Sequence, residues 1–264
     1  MRLVKGLLER CAEVMERMAA SPAALGVSEI AAALDLPKSA AHRLLQELVR
    51  LGWAEQDAEG RYRASLRFGL LGSRVMQQAG LPNLAQPLLD RLARECRELV
   101  RLTVANGRGL TWVAYAQGAP AGLVYQPEMA GPVVLHATAN GKAYLATLDA
   151  AAALDLAVAE GLGQVQPTGR TLATRDAFAA ELSRVRAQGF AVSCGEAEIG
   201  VVAVAVAIGV AGLPASGTLS VAGPMLRMAP ERYPALASAL RETAVALAVL
   251  RPFQIRSDLS CASN

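Results

Sequence analysis

The chain has 264 residues, 53% of them hydrophobic and 19% charged, with a formal net charge of +3. That length serves about two domains, the composition excludes an intrinsically disordered chain, and so small a net charge decides nothing about a polyanionic partner. Cys11, Cys96, Cys194 and Cys261 are scattered without a CxxC pair, and His42 and His136 are the only histidines, so neither a disulfide framework nor a clustered metal site is expected. From the amino terminus, Leu3, Leu7, Cys11, Val14, Met15 and Met18 recur at helical spacing and predict a first helix with one buried face. Ser28 is a candidate N-cap for a short second helix, "SEIAAALD", with Ile30, Ala31 and Leu34 on one side. Asp35 and Leu36 break it, Pro37 suits the first turn of a third helix, and Gly52 stops that helix just past Leu51.

Two short strands follow, Trp53 to Gln56 and Arg61 to Ala64, joined by the turn Asp57-Ala58-Glu59-Gly60. Three short helices and a β-hairpin describe a winged helix-turn-helix. The helical stretch "SLRFGLLGSRVMQQAG" then reads as a connector with apolar positions available for dimer contacts, and Pro82 punctuates its end. Beyond it, helical "NLAQPLLDRLAREC" leads into the strands "LVRLTVA" and "GLTWVAYA", separated by a turn at Asn106-Gly107. Helices are predicted at Ala139 to Leu148, Ala150 to Glu160, Arg175 to Gln188 and Glu231 to Leu250, and strands at Gly200 to Ile208 and Gly217 to Val221. This is an α+β pattern with a mainly antiparallel sheet.

Faces of the third helix carry the first functional signal. At about 100° per residue, Lys38, Ser39, His42, Arg43, Gln46 and Arg50 fall in one arc of roughly 140°. Ala41, Leu44, Leu45, Leu48 and Leu51 lie opposite, with Val49 the one apolar residue on the polar arc. Taken alone the arc suits a solvated face as well as a groove of DNA. Donor-rich side chains match base edges and phosphates, and the short helix before and the hairpin after tip the reading towards DNA. Arg61, Arg63 and Arg67 are then candidate backbone or minor-groove contacts from the wing.

The stretch "VSEIAAALDLPKSAAHRLLQELVRLGWAEQDAEGRYRASLRFGLLG" resembles the DNA-binding region of the isocitrate lyase regulator (IclR) family of bacterial transcription factors. "LHATANGKAYLA", "ELSRVRAQGFAVSCGEAEIGVVAVAVAI" and "LSVAGP" resemble its C-terminal domain, in the same order. The resemblance implies a winged helix-turn-helix domain over 1–65, a linker helix over 66–80, a GAF-like or profilin-like effector-binding domain over 81–252, and a flexible tail over 253–264. It implies double-stranded operator DNA and a small organic-acid effector as partners, a homodimer or dimer of dimers, and repression or activation of a catabolic operon. Ser28, Lys38, Ser39, His42, Arg43, Gln46, Arg61 and Arg63 are the candidate DNA contacts.

The effector site departs from the family's pattern. The loop before "GKA" supplies Ala139 and Asn140, Ser193 stands where an acidic residue is common, and Ala203 stands where a Cys is frequent. Ser220 keeps the first serine of the SxSGP motif while Ala222 replaces the second. Ala203, Ala205 and Ala207 share one strand face by alternation, as do Thr218, Ser220 and Ala222. Small side chains predict either close helix packing or a roomier, less polar pocket for an aromatic or relatively apolar acid. Tyr125, Met129 and Val133 are candidate walls, and Trp112 and Tyr115 are expected in the core.

No catalytic residues, metal or cofactor are expected. "ANGKAY" lacks the glycine a phosphate loop requires five residues before its Gly-Lys, where His136 stands, and Ala143 replaces the hydroxyl residue after it. His136 with Cys194 has no third orienting residue, and no GxSxG is present. The alternatives are a small-molecule hydrolase and a dimerising ligand sensor that does not bind DNA. The start "MRLVKGLLERCAEVMERM" has no apolar run of the signal-peptide kind, and Ile199 to Leu213 is too short to span a bilayer. The expected location is therefore cytoplasmic, without membrane association.

Overall fold

The computed structural model describes residues 6–106, 109–126, 133–210, 212–250 and 253. The chain divides into two compact units, residues 1–76 and 77–264. In the first, α1 (Leu7–Ala20), α2 (Val27–Ala33) and α3 (Lys38–Arg50) precede the antiparallel hairpin of β1 (Ala54–Gln56) and β2 (Tyr62–Ala64). Val14, Met15 and Met18 of α1, Ile30 of α2, Leu44, Leu45 and Leu48 of α3, and Ala54 and Tyr62 of the hairpin close one core. Each such aliphatic side chain contributes about 1.5–3 kcal/mol on burial. Asp35 turns the chain between α2 and α3 at φ 52, a left-handed conformation that a short polar side chain tolerates. Tyr62 and Leu25 exchange backbone hydrogen bonds of 2.8 Å in both directions, which ties the wing to the loop before α2.

Details differ from the sequence pattern. Gly26, not Ser28, caps α2, and its N–H donates to the Glu29 carboxylate one turn on. Leu51 is the C-cap of α3 and 45% exposed rather than buried, and Leu7 is 71% exposed. Val49 is half-buried against the core despite its place on the polar arc. The following helix, α4 (Leu66–Gln78), has no buried residue at all.

The second unit opens with one π-helical turn, Leu81–Ala85, running into α5 (Gln86–Cys96). Its sheet is antiparallel throughout, in the order β4-β3-β7-β6-β5. The strands are β3 (Leu99–Ala105), β4 (Leu110–Gln117), β5 (Ala191–Cys194), β6 (Val201–Ile208) and β7 (Gly217–Pro224). Helices α6 (Ala139–Leu145), α7 (Ala150–Ala159) and α8 (Arg175–Gln188) lie between β4 and β5 in sequence, and α9 (Tyr233–Ala248) follows the sheet. The edge strand β5 is missing from the sequence reading because four residues, "AVSC", show no alternation.

Register decides which side chains share a face. Arg101 of β3 pairs with Ser220 of β7, which pairs with Ala205 of β6, which pairs with Ala191 of β5. The neighbouring rows on that face hold Thr103, Thr218 and Ala207, and Ala222, Ala203 and Ser193. Helix α6 lays Ala139 and Ala143 on this surface, alanine against alanine, with Val185 of α8 beside them. Val202, Val204 and Val206 point the other way and are buried where α9 runs along β6 and β7. The architecture is thus a helix-turn-helix unit followed by an α+β unit. Among the described residues no helix is long and apolar enough to cross a membrane.

Candidate nucleic-acid interface and ligand site

Helix α3 exposes Lys38, Ser39, His42, Arg43 and Gln46 while Ala41, Leu44, Leu45 and Leu48 are buried. The side chains of Lys38, Ser39, His42 and Arg43 have no hydrogen-bond or ion-pair partner among the described residues, so four donors stand free in water. Gln46 differs: its Nε2 donates to the Tyr62 hydroxyl at 2.9 Å and to Gln56 Oε1 at 3.3 Å, joining α3 to the wing. Arg61 Nε donates to the Ala24 carbonyl at 2.8 Å and its Nη2 reaches Glu29 at 3.2 Å. Arg63 places Nε and Nη2 on one Glu55 oxygen, both at 3.1 Å. Exposed pairs of this kind contribute about 0–1 kcal/mol, so a phosphate can recruit either cation cheaply. Arg67 is held differently, donating to the Leu51 carbonyl at 2.7 Å with its guanidinium 4.9 Å from the Trp53 ring centroid. Ser28 is exposed in the first turn of α2, its hydroxyl not consumed by capping.

In the second unit a cavity of about 20 Å3 lies over the small-residue face of the sheet, lined by Arg101, Tyr125, Thr138, Ala139, Ser193 and Ala203, with Glu198 at its rim. A far larger groove, about 920 Å3 between α1 and α3, belongs to the helix-turn-helix unit. Size therefore points to the wrong place for ligand chemistry, and the polar groups decide. Of the residues singled out in sequence, Tyr125, Ala139, Ser193 and Ala203 converge on the small cavity. Asn140 is buried beside it instead, its Nδ2 donating to Thr218 Oγ1 at 2.9 Å, and Thr218 Oγ1 is 2.6 Å from Thr103 Oγ1. Ala222 packs within the alanine cluster, and Val133 belongs to a different cluster with Leu135, Tyr144 and Phe178. Met129 lies outside the described residues, as does the tail apart from Phe253.

Of the two expectations for this face, close helix packing is the one seen, and the cavity that remains is small and carries a buried charge. Ala139 and Ala143 of α6 pack against Ala203 and Ala205 and leave only the cavity of about 20 Å3. Ala139 and Asn140 are accordingly not in a loop but in the first turn of α6, capped by Thr138, whose Oγ1 accepts from the Gly141 N–H at 3.1 Å. Polarity comes from Arg101, which sequence reasoning passed over: it is only 7% exposed. The signal was there, a lone charge inside the apolar strand "LVRLTVA". Its guanidinium lies 4.1 Å from the Trp112 ring centroid and 5.9 Å from that of Tyr125, within cation–π range. Burial pushes the guanidinium below its ordinary value, while Tyr125 and Glu198 pull it back up, and an arginine remains charged throughout. Burial likewise pushes the Tyr125 phenol up to about 12. Trp112 is part core and part cover for Arg101, whereas Tyr115 is 47% exposed and not a core residue.

The lysine of the Gly-Lys pair weighed as a phosphate loop and the histidine weighed as a base both have structural partners. Lys142 uses its three donors on Glu181 at 3.0 Å, Glu196 at 2.7 Å and the Val192 carbonyl at 3.0 Å. His136 Nε2 is 2.7 Å from the Val165 carbonyl, and its ring meets Phe178 edge-on.

With this geometry in hand, the relatives place the chain. The model of the IclR helix-turn-helix domain matches residues 7–58, and that of the bacterial transcriptional regulator IclR C-terminal domain matches residues 73–249. The chain belongs to the IclR family of bacterial transcriptional regulators. It is 32% identical over 250 residues to the glycerol operon regulatory protein of Streptomyces griseus, covering 91% of this chain and 94% of that one. It is 32% identical over 240 residues to the HTH-type transcriptional regulator BhcR of Paracoccus denitrificans, covering 90% and 84% respectively. An IclR homolog from Microbacterium hydrocarbonoxydans, solved in complex with 4-hydroxybenzoate, superposes with a TM-score of 0.73 at 25% identity, covering 92% of this chain and 97% of its own. The protein is a regulator with a DNA-binding helix-turn-helix and an effector-binding domain, not an enzyme.

Proposed function

We propose that this regulator reads operator DNA with the leading end of α3, Lys38, Ser39, His42 and Arg43, assisted by Ser28, Gln46, Arg61 and Arg63, and that a small organic acid in its second unit changes that affinity. The observation carrying the DNA reading is the set of four exposed polar side chains on α3 that have no partner among the described residues. DNA contacts fall to residues 1–65 and effector binding to 81–252, with 66–80 as connector. A dimer, or a pair of dimers, is favoured by α4, where Leu66, Leu70 and Val75 are 83%, 62% and 64% exposed and need a partner surface to leave water. The location is the cytoplasm, where such an operator lies, and control of a catabolic operon fits the glycerol operon regulator among its relatives. An acid effector is supported by the buried Arg101 and by the aromatic acid bound to the Microbacterium homolog.

Fluorescence anisotropy of a labelled fragment from beside the protein's own gene tests the pairing of the two functions. Titration with carboxylic acids, 4-hydroxybenzoate included, is expected to shift operator affinity by at least about fivefold, the lower end of ordinary allosteric coupling. Operator binding that no acid alters contradicts the effector half of the reading.

A further inference from the structure

We propose that Arg101 receives the carboxylate of the effector, and that Glu198 is the protein's own carboxylate which the incoming acid displaces. The proposal rests on the effector reading above and names its chemistry, a monocarboxylate with an apolar or aromatic body.

A guanidinium carries five N–H donors, and taking it out of water costs several kcal/mol unless those donors are satisfied. Arg101 is 7% exposed, yet its Nε has no partner among the described residues. Ser220, its direct partner in the β3–β7 register, is fully buried and its hydroxyl is also unpartnered. Tyr125 hydrogen-bonds Arg101, yet Arg101 Nε and Ser220 Oγ, side by side on one sheet face, still have no partner among the described residues and leave room for an acceptor that enters from outside. The guanidinium lies 4.1 Å from the Trp112 ring centroid, and Tyr125 hydrogen-bonds both Arg101 and Glu198, which leaves Nε as the free donor able to take a carboxylate oxygen.

Glu198 supplies the closed form's counter-charge. It is the one carboxylate among the described residues lining the cavity, and it raises the affinity of Arg101 for its proton. Unlike Arg101 it is exposed, on the turn between β5 and β6, which is bounded by Gly195 and Gly200 at φ 70 and 80. Returning it to water is therefore cheap. A cavity of about 20 Å3 holds roughly one water, so an acid enters only as the rim withdraws. Lys142, also buried in this unit, is already paired with Glu181 and Glu196. One guanidinium therefore faces one anion. Ala139, Ala203 and Val201 line the remainder of the cavity and favour an apolar body over a second charge.

Isothermal titration calorimetry on the full-length protein tests this with benzoate, 4-hydroxybenzoate, phenylacetate and pyruvate against the neutral isosteres benzamide and 4-hydroxybenzamide. At least one acid is expected to bind at least about tenfold more tightly than its amide, since a buried charge pair left half-made loses that much or more. Arg101→Gln is expected to erase the preference, Arg101→Lys to retain part of it, and Glu198→Gln to strengthen acid binding severalfold without changing the amides. If Arg101→Gln does not fold, the exposed Glu198→Gln decides. Acids that bind the Arg101 variants as they bind the wild type, or that bind Glu198→Gln more weakly, overturn the proposal and leave the effector reading standing. If a wild-type protein that still binds its operator takes up none of these probes, both fall together.

Discussion

Arg43 and Arg101 carry the same guanidinium into opposite surroundings. Arg43 stands in water on α3 with its side chain unpartnered among the described residues, so its hydrogen bonds to water exchange readily for bonds to a base edge or phosphate. Arg43→Ala is expected to weaken specific operator binding by roughly 1–3 kcal/mol if the side chain reads a base. Titration of the wild type and variant against operator and scrambled DNA checks this, and equal affinities would remove Arg43 from the recognition set. Arg63, paired with Glu55 at 65% and 48% side-chain exposure, is the better candidate for a phosphate. Its replacement by alanine is expected to lower the slope of log affinity against log salt by about 1 without changing sequence preference. A changed preference with an unchanged slope would make it a base reader instead. The exposed residues were legible in the sequence because a helix wheel sorts faces, with Val49 and Leu51 the two it misplaced. Arg101 was not, because a wheel or an alternation pattern treats a buried charge as an exception and not as a site.

At the level of elements, α6 shows both what the sequence displays and what it hides. A helix from Ala139 was legible and close helix packing was one of two readings of the alanine face, but that α6 is the helix lying on Ala203 and Ala205 appears only when β6 is laid beneath it. The same helix carries Lys142 between two carboxylates that titrate in opposite directions. Burial pushes Glu181 up, but Lys142 and Arg184 together hold it below the ordinary glutamate range. Glu196 is pushed up by burial, and Lys142 does not fully reverse this. A carboxylate held low contributes its stability above its unfolded-state value and loses it as pH falls through the folded-state value. Glu181→Gln is thus expected to lose about 1.5–3 kcal/mol at neutral pH, with the gap in melting temperature closing as pH drops below about 4.3. A gap that is constant with pH would mean that Glu181 acts through packing alone.

Helix α4 is the second element whose role follows from what it lacks. Five large apolar side chains on thirteen residues are exposed and none is buried, which the sequence already hinted at in "SLRFGLLGSRV". Leu70→Glu is expected to shift the protein towards monomer in sedimentation velocity and to lower operator affinity by about a hundredfold or more, the scale at which two linked half-site contacts become one. A variant that stays in the wild-type assembly state contradicts a self-association role for α4.

At the scale of the whole molecule, the order of the described elements was legible apart from β5 and the π-helical turn, since turns and periodicity are local. The two-unit division and the α+β pattern followed from that order. What stayed hidden was long-range: the register that sets Arg101 beside Ser220, the short edge strand β5, and which helix closes the alanine face. Regulation needs these long-range features, because a ligand shifts an equilibrium only by binding one arrangement better than another. The central claim is that α3 and the wing read DNA, and salt-dependent binding of the full-length protein to the DNA beside its own gene tests it most directly. Sequence-specific binding that weakens steeply as salt rises from 50 to 200 mM, by about a thousandfold for six or more phosphate contacts, is the predicted result. Binding that is absent on every fragment, or indifferent to salt, would contradict it.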